Sequence, residues 1–198
     1  MNLKINLLRS GYNNKANDFQ FLIDTVKFIL QKEITRNKIK IHSFTHRIKS
    51  FDSFLDKIRR KNITDPFKDI HDLVGLRVVC LFLPDLELIG NIIHREFDVF
   101  EENDKVDNSK VDIFGYMSLH YKAKLKVNSS SQGLNTIQET PFEVQVRTIA
   151  QDAWAAISHY LDYKQESFLP GQLTQVRQIC QKKHKKRENI GSVIVVTH

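Results

Sequence analysis

The sequence predicts an α+β domain, a mixed β-sheet flanked by helices. Residues 74–83 (VGLRVVCLFL) form a nearly unbroken apolar run rich in β-branched residues, with Arg77 the only charge, which is the pattern of a strand covered on both faces. Residues 115–127 alternate cleanly between apolar and polar, and the stretches around these two segments carry apolar residues at helical spacing. Strands mixed with helices in this way place the chain in the α+β class.

In chain order, Phe19, Leu22, Val26, Ile29 and Leu30 predict an amphipathic helix over 17–38, with Asn17 and Asp18 as cap residues. A second helix is predicted over 50–61. Phe51, Phe54, Leu55 and Ile58 form its buried stripe, and Ser53, Lys57 and Lys61 share another side. After the 74–83 strand, residues 84–97 read as helical and 101–113 (EENDKVDNSKVDI) as a polar loop. In 115–127, Met117, Leu119, Tyr121, Ala123, Leu125 and Val127 face one way; Tyr116, Ser118, His120, Lys122, Lys124 and Lys126 face the other. Residues 129–140 are turn-rich, and 141–147 alternate again, Phe142, Val144 and Val146 against Glu143, Gln145 and Arg147. Residues 149–164 return to helical spacing through Trp154, Ile157 and Leu161. A last helix is expected over 170–187, followed by an isolated strand-like GSVIVVTH at 191–198.

At 198 residues and 41% hydrophobic content the chain suits one domain spanning 1–198. Its 27% charged residues, seven Gly and four Pro exclude disorder, collagen-like repeats and solenoids. With no membrane-length apolar run and no leader-like N-terminus, a cytoplasmic location is expected. Cys80 and Cys180 lack a CxxC partner spacing and read as free structural thiols; the eight His show no paired metal-ligand pattern. Of the net charge of +7, Lys182, Lys183, Lys185, Lys186 and Arg187 supply five, so the basicity belongs to a tail. That tail suits RNA contact, an acidic partner or a solvated helix end.

The chemistry concentrates on one predicted sheet face, where Tyr116, Ser118, His120 and Lys122 would lie beside Glu143, Gln145 and Arg147; alternation alone makes such a face an ordinary solvent-exposed one. Upstream, Arg47 and Lys49 precede a helix that projects Ser53 and Lys57 on one side, a cluster suited to polyphosphate. Asp72 lies where DPFKDIHD meets the apolar strand and, with Glu143, is a candidate to hold Mg²⁺ beside transferring phosphates. The pair His71-Asp72 invites comparison with HD-type phosphohydrolases, but further ligands at suitable spacing are missing.

The segments HRIKSFDSFLDKI, DIHDLVGLRVVC, GYMSLH, FEVQVRT and WAAISHYLDYK, in this order over about residues 40–165, resemble the synthetase domain of RelA/SpoT-type alarmone synthetases. Such enzymes transfer the β,γ-pyrophosphate of ATP to the ribose 3′-hydroxyl of GDP or GTP, giving ppGpp or pppGpp, on a nucleotidyltransferase-like fold. The resemblance implies that Arg47 and Arg77 sandwich the adenine while Lys49, Ser53 and Lys57 address the ATP phosphates. It implies Asp72 as a Mg²⁺ ligand and Glu143 as base on the 3′-hydroxyl or a second ligand. Tyr116 would stack on guanine, with His120, Gln145 and Arg147 around the acceptor, and Asp152 would accept from the guanine N1–H and N2 amino group. Trp154, His159, Tyr163 and Lys164 also match, Trp154 as a core residue.

Two departures stand out. His46 occupies a position where relatives often have Gly, and Val-Asp-Ile-Phe-Gly replaces a Lys-Pro-Asn-Gly-like stretch. Asp112 thus stands where a phosphate-binding lysine is expected, with Lys110 or Lys122 available to compensate. The chain resembles a small stand-alone synthetase and is expected to form homo-oligomers through its helical extensions at 17–38 and 170–187. Two rival readings follow from Asp112 and the basic tail: a toxin-like enzyme that pyrophosphorylates the 3′ end of tRNA, and a catalytically weak nucleotide- or RNA-binding regulator.

Overall fold

A computed structural model describes residues 2–104, 118–126 and 135–163. The chain divides into two compact units, one made of Met1–Asp104 and Leu119–Ile149 and one of Lys105–Ser118 and Ala150–His198. In the first unit the order is α1 (Asn2–Asn14), α2 (Ala16–Arg36), β1 (Ile41–Ile48), α3 (Phe51–Lys61), α4 (Pro66–Asp69), β2 (Val74–Cys80), α5 (Leu83–Glu96), β3 (Phe97–Asp104), β4 (Leu119–Leu125), α6 (Asn135–Gln138) and β5 (Phe142–Thr148). The second unit's described part is Ser118 and, from Ala150 onward, α7 (Ile149–Tyr163). Trp154 on α7 is buried, as its stripe predicts.

The five-stranded sheet has the order β1-β2-β5-β4-β3. It is mixed because β2 and β5 run parallel while the other neighbours are antiparallel. One face is the core. Leu76, Val78, Val144, Val146, Tyr121 and Ala123 lie in one apolar cluster with Leu22, Val26 and Leu30 of α2 and Ile89, Ile92 and Ile93 of α5. Phe97 and Phe142 close it edge to face at 5.2 Å. On the other face the alternate residues of β2, β4 and β5 include charges and amides, which are costly to bury without partners.

α3 has the stripe its sequence predicts. Phe51 and Phe54 are buried, and the Ser50 side chain caps the helix by accepting from the Ser53 amide at 3.3 Å. Arg59, Arg60 and Lys61 crowd its last turn, where the helix dipole favours cations. Cys80 is buried, and burial, with Asp85 nearby, pushes its thiol up to about 11, so it is the inert structural thiol expected.

Several expectations need correction. α2 starts from Lys15, with no side-chain cap, so Asn17 and Asp18 lie inside it rather than at its cap. The strand predicted over 74–83 ends at Cys80 because Pro84 opens α5 in the first turn, where a missing N–H costs nothing. The loop predicted from 101 is a strand as far as Asp104: β3 is an edge strand, so charged Glu101 and Glu102 remain compatible with pairing. β1 and α1 have no counterpart in the sequence reading. The 170–187 helix and the 191–198 segment lie outside the described residues. No helix of the described residues is long and apolar enough to cross a membrane.

Gly90 of α5 marks a close approach: a Cβ there would lie 2.5 Å from the hydroxyl of buried Tyr121. Gly90→Ala is therefore expected to destabilise the protein by about 1–3 kcal/mol through overpacking. That outweighs the roughly 1 kcal/mol that helix propensity offers alanine. A urea midpoint equal to or above that of the parent would contradict this.

Candidate active site

The second sheet face is organised in cross-strand rows. Register places Arg47, Gly75, Glu143, Lys122 and Glu101 side by side across the sheet, and Thr45, Arg77, Gln145, His120 and Asn103 in the next row. The alternation read in the sequence thus puts Glu143, Gln145 and His120 together. It does not leave them in water: His120 is 4% and Glu143 8% exposed, so the expectation of an ordinary solvent-exposed face fails at its centre.

A buried carboxylate must be hydrogen-bonded to be tolerated, and Glu143 is held at both oxygens. His120 Nδ1 lies 2.7 Å from Oε1, and Gln145 Nε2 donates to Oε2 at 3.1 Å. The Gln145 amide oxygen in turn accepts from Arg77 Nε and Nη2 at 3.4 and 3.3 Å. The side-chain chain Arg77–Gln145–Glu143–His120 therefore crosses β2, β5 and β4. In the row beside it Lys122 Nζ donates to the two oxygens of Glu101 at 2.6 and 2.7 Å, which holds the Glu101 carboxyl below its ordinary value. Arg147 continues along β5, half-buried, opposite Val79. Arg47, exposed on edge strand β1, lies beside Gly75, which leaves no side chain between the guanidinium and Glu143 in that row.

At the lead-in to β2 a separate charged cluster forms. Lys49 Nζ is 3.2 Å from Asp72 Oδ2 and Lys57 Nζ 2.8 Å from Oδ1. Burial alone would raise the Asp72 carboxyl, but the hydrogen bond and charge of Lys57, joined by Lys49, outweigh it and hold the carboxyl below its usual value. The main chain fixes this arrangement: the Lys49 amide donates to the Leu73 carbonyl at 2.8 Å, tying the β1–α3 connection to the residue after Asp72. Ser53 is exposed on the first turn of α3, its hydroxyl taking a bond from Ser50 Oγ at 3.0 Å. The sequence therefore found the cluster's members but not its internal pairing, in which the one aspartate bridges both lysines and the cluster stays net positive.

Among the described residues no group of three or more His, Cys, Asp and Glu is arranged to hold a metal ion. A Mg²⁺ bound by one or two carboxylates and substrate phosphates does not need such a cage. Asp72 suits that role as a hard oxygen ligand: its Oδ1 is buried, with Lys57 Nζ 2.8 Å away, and its Oδ2 meets Lys49 at 3.2 Å. Tyr116, Lys110 and Asp112 lie outside the described residues. Asp152 is half-buried on α7, in the second unit, and the side chains of His159 and Tyr163, with all of Lys164, are likewise outside. Glu101 was missed because its segment reads as a loop, and no periodicity in 101–104 signals the pairing with Lys122.

Residues 46–167 match the family described as the region found in RelA / SpoT proteins. The chain belongs to the RelA/SpoT family. Every candidate site residue, from Arg47 to Asp152, lies inside the matched RelA/SpoT region, whereas α1 and α2 precede it. Two relatives from Bacillus subtilis are similar. GTP pyrophosphokinase YwaC is 34% identical over 134 residues, covering 65% of this chain and 61% of its own length. GTP pyrophosphokinase YjbM is 27% identical over 162 residues, covering 80% and 73%. The crystal structure of small alarmone synthetase 1 from Bacillus subtilis, bound to its product pppGpp, superposes with a TM-score of 0.66 at 22% identity and covers 93% of this chain and 96% of that one. The superposition thus takes in more of the chain than the matched region 46–167.

Proposed function

We propose that the protein is an ATP-dependent GTP/GDP 3′-pyrophosphokinase that makes ppGpp or pppGpp. The observation that carries this is the buried Glu143, held at both oxygens on a sheet face whose neighbouring cluster offers the ammonium groups of Lys49 and Lys57. Both relatives are GTP pyrophosphokinases, and the structural neighbour holds pppGpp as its product, which supports the same reading.

In this reaction the acceptor's 3′-oxygen attacks the β-phosphorus of ATP. A bond forms between them, the bond from the β-phosphorus to the oxygen bridging to the α-phosphate breaks, and AMP leaves with that electron pair. The hydroxyl proton passes to Glu143, whose fixed contacts to His120 and Gln145 keep the carboxylate oriented without reorganisation. A ribose hydroxyl is a poor nucleophile, so a positioned base is needed. Arg47 and Arg77 would hold adenine between guanidinium planes, with Gly75 adding no side chain beside Arg47. Lys49, Lys57 and Ser53 would take the ATP phosphates. Tyr116, His120, Gln145, Arg147 and Asp152 would receive the guanosine nucleotide. Asp72 and Glu143 are the residues that would hold Mg²⁺, which supplies neutralisation of charge on the transferring phosphates.

The test is thin-layer chromatography with ATP labelled at the γ-phosphate and Mg²⁺, offering GDP, GTP, GMP and bulk tRNA in separate reactions. Label is expected on GDP or GTP. Label on tRNA alone would replace this reading with the toxin-like one, and no transfer to any acceptor would leave a nucleotide-binding regulator.

A further inference from the structure

α1 precedes the matched RelA/SpoT region, yet it reaches the donor-phosphate cluster. Ile5, Leu8 and Tyr12, spaced as one helical stripe, pack against the core. Beyond that packing, the Tyr12 hydroxyl donates to the Lys49 carbonyl at 2.5 Å, across 37 sequence positions. Lys49 is thereby held on three sides: its carbonyl by Tyr12, its amide by the Leu73 carbonyl at 2.8 Å, and its ammonium by Asp72 at 3.2 Å. Two of those anchors belong to the β2 lead-in that carries Asp72; the third is supplied only by α1.

The way α1 docks is built to deliver that hydroxyl. The Tyr12 ring lies edge-on to Phe19 at 5.8 Å and to Phe51 at 5.6 Å, and tilted against Phe54 at 5.8 Å. Arg9 places its guanidinium 4.2 Å from the Phe51 ring centroid. Gly11 lets the helix come close: a Cβ there would meet Phe67 at 3.2 Å. A glycine inside a helix costs about 1 kcal/mol relative to alanine, so its presence next to Tyr12 is explained by this approach. Burial pushes the Tyr12 phenol above its ordinary value, so it remains a donor at any working pH. Phenylalanine would fill the same aromatic cluster; only the hydroxyl reaches Lys49.

We propose that Tyr12 is a positioning residue for the donor nucleotide, fixing the Lys49 main chain so that its ammonium, and the adjoining Arg47 and Ser50 cap, meet ATP in one geometry. This rests on the proposed pyrophosphokinase function, specifically on Lys49 serving the ATP phosphates. Because the bond constrains the donor side alone, its loss separates the two substrates.

The experiment is isothermal titration of the full-length parent and Tyr12→Phe with α,β-methylene-ATP and, separately, GDP, together with melting temperatures and steady-state KM values. Tyr12→Phe is expected to weaken the ATP analogue roughly three- to tenfold, the range that one hydrogen bond carries. Its KM for ATP should rise with it, while GDP affinity stays within about twofold of the parent. Phe19→Leu, which disturbs the same aromatic cluster without touching Lys49, is the structural control: it should lower the melting temperature and leave the analogue's affinity in place. Unchanged affinity for the analogue in Tyr12→Phe would overturn the assignment. So would equal weakening of both nucleotides, or equal weakening in Phe19→Leu, since either would reduce Tyr12 to packing. If the parent binds neither nucleotide and transfers no label, the pyrophosphokinase reading falls and takes this one with it; a parent that transfers label while Tyr12→Phe matches it in every respect sinks this inference alone.

Discussion

Glu143→Gln is expected to lower kcat for pyrophosphoryl transfer by about two to four orders of magnitude, the range that a positioned general base supplies. The substitution is close to isosteric, and its amide still has an oxygen and an NH₂ group to satisfy His120 and Gln145, so the fold and the face's packing are retained. What it removes is the capacity to take the 3′-hydroxyl proton. Initial rates at saturating ATP and acceptor, alongside melting curves, check this. A variant within threefold of the parent's kcat would show that the base is elsewhere, whereas a collapse in stability would show that the buried carboxylate is needed for folding instead.

The second large effect is expected at Asp72. Asp72→Asn leaves the ammonium groups of Lys49 and Lys57 facing each other with no anion between them. Breaking a part-buried ion cluster from its central partner is more harmful than trimming its rim, because the remaining charges keep their desolvation without compensation. The site also loses the carboxylate oxygen best suited to a hard cation. We expect kcat/KM for ATP to fall by about two orders of magnitude or more, corresponding to about 3 kcal/mol of transition-state stabilisation. The Mg²⁺ concentration needed for half-maximal rate should move upward. Lys57→Met provides the contrast: it should weaken ATP without shifting the Mg²⁺ requirement. An unchanged Mg²⁺ response in Asp72→Asn would confine Asp72 to anchoring the lysines.

The parts of this architecture legible in the sequence are those set by a single periodicity. α3, β2 and β5 announce themselves because each has an apolar stripe or alternation with matched chemistry at its end, as with Ser50 before Phe51. β1 was illegible because IHSFTHRI is an exposed edge strand, so its side chains alternate in no way that burial enforces. β3 was illegible because Glu101, Glu102 and Asn103 read as loop chemistry, and only their pairing with Lys122, Tyr121 and His120 makes them a strand. α1 has the Ile5, Leu8, Tyr12 stripe but also Gly11 and a run of Asn that argue against a helix; tertiary packing on Phe51 and Phe67 overrides the weak propensity. Within the site, residue types located Asp72, Glu143 and the basic residues. Their pairings were not readable, since which cation meets which carboxylate depends on registers that the sequence does not state.

The strand that carries Glu143 and Gln145 is the last of the five described strands in chain order, yet it lies in the middle of the sheet, between β2 and β4. Parallel pairing with β2 requires a crossover that spans α5, β3, β4 and α6, so the two strands of that pair are separated by the longest closure between neighbours in the sheet. The residues that precede Phe142 include Asp72 with Lys49 and Lys57, and the antiparallel pair of β3 and β4 that carries His120. Glu143 and Gln145 come only afterwards. The polar face is therefore completed by a single seven-residue segment, β5, which joins the edge of β2 to the edge of β4.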